Sequence, residues 1–285
     1  MNLLQQWLPR GWRRMPALPE PVWRATVEAQ PFLRNLSMPE LKRLERLCRH
    51  FLLEKAFYGA HNLVVTDAMA LSIAAQACLP LLHLPGPGQP DLQSKPWHSL
   101  DWYDDFVGIV VQPDAAVAKR KVTDASGVVH HYRETLAGEA MQGGPVMLSW
   151  AEVARAPWAA EAGSNVVIHE FVHKMDMRGT TRGQTADGAP DWSNACLGSL
   201  KGAPARAHWQ ATMNTAFEAF KEALNMSERF GADKPWLDAY GATQPGEFFA
   251  VTCEAYFVNR QRFEQEFPSL LALYDSFFKP EALNR

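Results

Sequence analysis

Apolar positions fall into two regimes along this chain. Ser37 is followed three residues later by Glu40, a capping box, and Leu41, Leu44, Cys48, Phe51, Leu52 and Lys55 then recur at helical spacing. Residues 67–79 are apolar nearly all round, which predicts a buried helix. Ahead of these, residues 1–36 are rich in Pro and Trp without a clear period and are expected to form an arm wrapped on the body. A Pro/Gly loop over 85–96 ends the helical part. The character then changes. Residues 106–111 and 128–135 read as strands joined by a polar segment with Gly127 as punctuation, and 145–150 as a third strand entered through Gly143 and Gly144. A helix is expected over 165–177, then a long loop over 178–206. A further helix over 207–224 carries Trp209, Met213, Phe217, Phe220 and Leu224 on one side. Two more helices start near Pro245 and Pro268, where a fixed φ suits the first turn. Strands followed by helices predict an α+β fold, with residues 1–96 a helical part packed on a core of 97–285.

The most specific chemistry lies in the 165–177 helix. His169-Glu170-Phe171-Val172-His173 is an H-E-x-x-H motif. Histidines four apart project from one helix face about one turn apart, so both imidazoles can reach one metal ion. Glu170 lies between them and can touch a metal-bound water without ligating the metal, an arrangement suited to zinc-dependent hydrolysis of an amide bond. A catalytic zinc needs a third protein ligand and one open position. After His173 the candidates are Asp176, Asp187, Asp191, Glu218, Glu222, Glu228, Asp233, Asp238, Glu247, Glu254 and His208. Glu247 stands out as a carboxylate in the first turn of an apolar helix. Glu254, seven positions on, shares its face, so spacing alone leaves both open. Beside a ligand role, Glu254 suits a partner that orients a histidine or a satisfied buried acid, and Asp176 suits a helix-end contact.

Composition narrows the remaining classes. The 285 residues are 47% hydrophobic, enough for a substantial core, and the net charge of −3 argues against a nucleic-acid surface. The four cysteines, Cys48, Cys78, Cys196 and Cys253, are far apart and form no CxxC pair, which fits a reduced setting. The first residues place basic groups after apolar ones, the wrong order for a secretory signal. No stretch approaches the ~20 apolar residues of a membrane span. A cytoplasmic protein is expected.

Two segments, residues 165–176 around the motif and residues 238–251 (Asp-Ala-Tyr-Gly-Ala-Thr-Gln-Pro-Gly-Glu-Phe-Phe-Ala-Val), resemble the Mlc titration factor A family. These are bacterial zinc-dependent peptidases whose catalytic core is similar to anthrax lethal factor. The resemblance runs from about residue 37 to the carboxyl end. It implies a zincin-like core with one Zn2+ held by His169, His173 and Glu247, the last seven residues after Tyr240. It also implies Glu170 as the catalytic glutamate, taking a proton from zinc-bound water and passing it to the leaving amine. Tyr240 could aim its hydroxyl at the oxyanion. The 145–150 strand, taken as a sheet edge, could hold an extended peptide substrate. Lys174 departs from the stricter peptidase motif but is usual in this family. The activity implied is that of an aminopeptidase on short peptides. The family name also implies a second role, a regulatory protein that sequesters a transcriptional repressor in control of sugar uptake.

Overall fold

The computed structural model describes residues 17–89, 96–123, 129–136, 138–178, 187–192 and 195–280; for residues 96, 116–123 and 129–136 it describes the backbone. It is a mixed α+β structure, as expected. Two short helices, α1 (Glu20–Ala29) and α2 (Pro31–Arg34), occupy part of the expected arm. Each carries proline in its first turn, and Val22, Trp23 and Val27 of α1 pack against the core. The hydrophobic pattern did not reveal these two helices, because ten residues give too short a stretch for a helical period to show. Residues 1–16 lie outside the described residues.

Helix α3 (Met38–Glu54) starts with the capping box in place: the Ser37 backbone N–H donates to Glu40 Oε2 at 2.7 Å. A short strand, β1 (Ala56–Gly59), follows, and then α4 (Asp67–Cys78), whose residues from Leu71 onward are buried except Ser72. Lys55, between α3 and β1, is buried and donates to the carbonyls of Tyr103 and Phe106. Strands β2 (Gly108–Gln112), β3 (Ala116–Thr123), β4 (Val129–Leu136), β5 (Gly138–Ala140) and β6 (Val146–Ser149) come next. β3 replaces most of the polar connection expected between the first two strands, and it pairs with β4 as an antiparallel hairpin. His130 and His131 lie on β4, where only the backbone is described.

The central sheet has the order β1-β2-β6-β5, parallel except for the antiparallel β5–β6 pair. The 145–150 strand was expected at a sheet edge. Instead β6 is interior and β5 is the edge beside it, because β5 returns antiparallel along its outer side. Trp150 belongs to no strand. It opens α5 (Trp150–Ala159), a helix the hydrophobic pattern did not reveal, and Ser149 caps it by accepting from the Glu152 N–H. Alternation along β2 and β6 buries Ile109, Val111, Val146 and Leu148 on the same face.

Helix α6 (Val166–Arg178) crosses the middle of the molecule and touches α4, α5, α8 and the β5 and β6 strands. Its Phe171 packs among Phe51, Tyr103 and Phe106, with ring centroids 5.0 to 5.8 Å apart. Lys174 is wholly buried: its Nζ donates to the Met141 and Gly144 carbonyls and pairs with Asp105 at 2.5 Å. This lysine therefore ties α6 to the β5–β6 turn, a structural reason for a charge at that position of the motif.

The expected 178–206 loop is shorter than its sequence suggested. A small hairpin, β7 (Cys196–Leu197) with β8 (Leu200–Lys201), leads into α7 (Gly202–Phe230), which begins before residue 207 and runs past 224. Trp192, ahead of the hairpin, is buried against Trp209 and Phe277. Helices α8 (Pro245–Val258), α9 (Arg260–Glu266) and α10 (Pro268–Phe278) are the last elements among the described residues. Cys48, Cys78 and Cys253 are buried free thiols, and Cys196 is an exposed one. Among the described residues no helix is long and apolar enough to cross a membrane.

Candidate metal centre

The motif helix is anchored at its start. The Asn165 side-chain oxygen accepts from the Ile168 N–H at 3.0 Å, and its carbonyl accepts from the His169 N–H at 3.0 Å. His169 and His173 then stand one turn apart, ring centroids 4.7 Å apart and nearly perpendicular. Helix α8 packs against α6 and brings up Glu247 from its first turn. Glu247 Oε2 lies 3.1 Å from His169 Nε2 and 3.2 Å from His173 Nε2, and the two Nε2 atoms are 3.1 Å apart.

These three atoms form a nearly equilateral triangle. Tetrahedral zinc with bonds of about 2.0–2.1 Å holds its ligand atoms roughly 3.3–3.4 Å apart, so the triangle closes on such an ion to within a few tenths of an ångström. The donor chemistry fits as well: two imidazoles and one carboxylate converge on one point, leaving room for a further ligand. Among the described residues no other group of His, Cys, Asp and Glu converges in this way.

The surroundings set the charge states. Burial alone would lower the His169 imidazole, but the Glu254 and Glu247 carboxylates outweigh it and hold it well above its ordinary value. Burial would raise the Glu247 carboxyl, yet its contacts with His169 and His173 prevail and hold it well below the usual carboxylate range. His169 Nδ1 meets Glu254 Oε1 at 2.7 Å, which leaves Nε2 to point at the centre. His173 Nδ1 is buried with no hydrogen-bond partner among the described residues.

Glu170 is buried beside this centre, and burial raises its carboxyl above the ordinary value against the lowering effect of the two histidines. Gly138, on the edge strand β5, closes over it. A Cβ built on Gly138 would fall 2.6 Å from both Cγ and Oε1 of Glu170. Register places Gly138 opposite Leu148, on the sheet face that α6 covers. Tyr240 sits on the short turn Ala239–Ala242, partly exposed, with its ring centroid 6.4 Å from that of His169. Asp238 holds this turn by accepting from the Tyr240 N–H at 2.9 Å.

The structure thus brings together all five predicted residues: His169, Glu170, His173, Tyr240 and Glu247. The other acidic candidates stay out of the triangle. Asp176 accepts from the Gly188 and Ala189 N–H groups and anchors the segment after α6, and burial pushes its carboxyl up to about 7. Sequence reading passed over two residues that touch this region. Gly138 showed no signal beyond being a glycine. Gln76, whose Oε1 accepts from Asn165 Nδ2 at 2.8 Å, did show one, as the lone amide in the Ala-Ala-Gln-Ala-Cys run of α4.

Comparison with known proteins agrees with this centre. Residues 4–279 match the model of the family described as glucose-regulated metallo-peptidase M90. Mlc titration factor A from Cronobacter sakazakii is 30% identical over 263 residues, covering 92% of this chain and 87% of that relative. The protein of the same name from Klebsiella pneumoniae is 30% identical over 257 residues, covering 90% and 85%. That from Escherichia fergusonii is 30% identical over 270 residues, covering 95% and 90%. With an H-E-x-x-H helix, a converging carboxylate and a match over nearly its whole length, the chain belongs to the glucose-regulated metallo-peptidase M90 family.

Proposed function

We propose that this chain is a zinc peptidase of aminopeptidase type, with a zincin-like core over residues 97–285 and the helices of 1–96 packed upon it. The observation that carries the reading is the 3.1–3.2 Å triangle of His169 Nε2, His173 Nε2 and Glu247 Oε2, with the buried Glu170 carboxylate beside it. A divalent ion held there supplies Lewis acidity, polarising the scissile carbonyl and lowering the pKa of water. Glu170 takes the proton of the attacking water and returns it to the leaving amine. Tyr240, its ring 6.4 Å from that of His169, donates its hydroxyl to the developing oxyanion. The substrate lies along β5, the half-buried edge strand beside Glu170, where backbone pairing holds an extended peptide. Zinc is the metal that best suits two imidazoles and a carboxylate, and the cytoplasm suits the free thiols.

Gly138 has a defined part in this reading: the missing side chain leaves Glu170 its place. Gly138→Ala is expected to lower turnover about 100-fold, the scale on which an ångström of misplacement acts, with metal content unchanged. Steady-state rates paired with metal analysis check this, and wild-type turnover in the variant would count against it.

A second reading is supported by the relatives' name, Mlc titration factor A. In it the chain also binds a transcriptional repressor, and hydrolysis is secondary. One experiment tests both: metal analysis of the purified protein, assays on aminoacyl p-nitroanilides and on N-terminally blocked peptides, and capture of a repressor by metal-loaded and metal-free protein. Zinc near one per chain with cleavage of free-amine substrates alone supports the aminopeptidase. Zinc without cleavage, together with repressor capture, would favour the regulatory reading.

A further inference from the structure

We propose that Gln76, on α4, is a positioning residue for the metal centre: through Asn165 and Glu254 it fixes the tautomer and the aim of His169. The inference rests on the metal reading of the site above. Gln76, Asn165 and Glu254 are all buried.

Orientation passes along this chain of groups one step at a time. Gln76 Nε2 donates to the Ser72 carbonyl at 3.0 Å, and a carbonyl can only accept. That choice turns Gln76 Oε1 toward Asn165, so the atom facing it at 2.8 Å must be the Asn165 Nδ2 donor. Asn165 Oδ1 is then left to accept from the Ile168 N–H at 3.0 Å, which caps α6. Held at both ends of its amide, Asn165 aims its backbone N–H at Glu254 Oε2, 2.5 Å away, where Ser164 Oγ adds a second donor at 3.1 Å. The other carboxylate oxygen, Oε1, accepts from His169 Nδ1 at 2.7 Å. A proton on Nδ1 leaves the Nε2 lone pair free, and Nε2 is the atom that faces Glu247 and His173. Each link is a buried group with one compatible orientation, so an error at Gln76 propagates to the ligand.

The test uses the full chain. Gln76→Met keeps the volume and removes the acceptor, leaving Asn165 Nδ2 buried without a partner. Zinc affinity, measured by chelator competition well below the melting temperature, is expected to fall about tenfold, the lower end of what loss of an outer partner costs. Gln76→Glu, as the neutral acid that burial favours, still accepts from Asn165 and still donates to Ser72, so it should restore the affinity. A second readout needs no metal: the His169 Nδ1 proton resonance should be held in the wild type and in Gln76→Glu, and shifted or broadened in Gln76→Met. Wild-type zinc affinity and an unchanged resonance in Gln76→Met would overturn the inference, whatever its melting temperature, since a merely structural role lowers stability alone. Should Gln76→Met not fold, Asn165→Asp carries the same test, because it keeps the cap oxygen and loses the Nδ2 donor. If the wild type binds no zinc, the metal reading itself fails, and the resonance still decides whether the relay holds His169.

Discussion

Glu170→Gln is expected to lower peptide hydrolysis by about 100- to 10,000-fold, the range that general acid–base catalysis contributes, while the protein keeps its metal. The physical basis is local. Glu170 shares the motif helix with both histidines but stands outside the triangle of converging atoms. It is buried under Gly138, and an amide of the same shape fits the same space. Glutamine retains one acceptor oxygen but has no lone-pair site basic enough to take a proton from water. On the proposed reading, in which substrate pairs along β5, the substitution leaves that pairing alone, so the loss should fall on kcat, with KM little changed. Metal analysis and steady-state kinetics on aminoacyl p-nitroanilides measure both halves. Parent-like hydrolysis by this variant would sink the mechanism proposed.

The second large effect is loss of the metal in Glu247→Ala. Glu247 contributes the only negative charge among the three converging atoms, and its Oε2 sits between two imidazole nitrogens. Without it two ligands on one helix remain, which is short of the three that a catalytic zinc site needs. Affinity should fall further than the ~10- to 100-fold that removal of an outer partner costs. A thermal readout separates this from unfolding. Zinc at about 1,000 times its dissociation constant adds roughly 4 kcal/mol to a protein that binds it only when folded. The wild type should therefore melt higher with zinc, and Glu247→Ala at one temperature with or without it. A zinc-dependent rise in the variant would show that the third ligand comes from elsewhere.

Much of this was legible along the chain. The capping box at Ser37, the apolar α4 and the Pro-started α8 and α10 carry their own local signals, since caps and first-turn prolines act within three or four residues. The elements that escaped lack such signals or borrow their stability from neighbours. β1 and β5 are four and three residues long, too short for alternation to show, and they are strands because β2 and β6 offer unpaired edges. α5 follows β6 without a break, so its apolar residues merged with those of the strand. The hairpin and the early start of α7 were hidden by Gly and Pro. Gly198 and Gly202 take positive φ, and Pro204 falls in the first turn of the helix.

The site divides in the same way. Sequence by itself determined that two histidines share a helix face with Glu170 between them, because a period of 3.6 residues leaves no other outcome for a spacing of four. It also placed Glu247 and Glu254 on one face of a second helix, and there spacing could go no further. Only the tertiary structure decided between their positions, by setting His169 between the two carboxylates. Glu254 meets Nδ1 on one side of the ring, and Glu247 meets Nε2 on the other, where His173 also points. An imidazole has two distinct nitrogens, and which one each acid faces depends on how α6 and α8 cross. No periodicity encodes that crossing; it follows from the side chains packed between the helices.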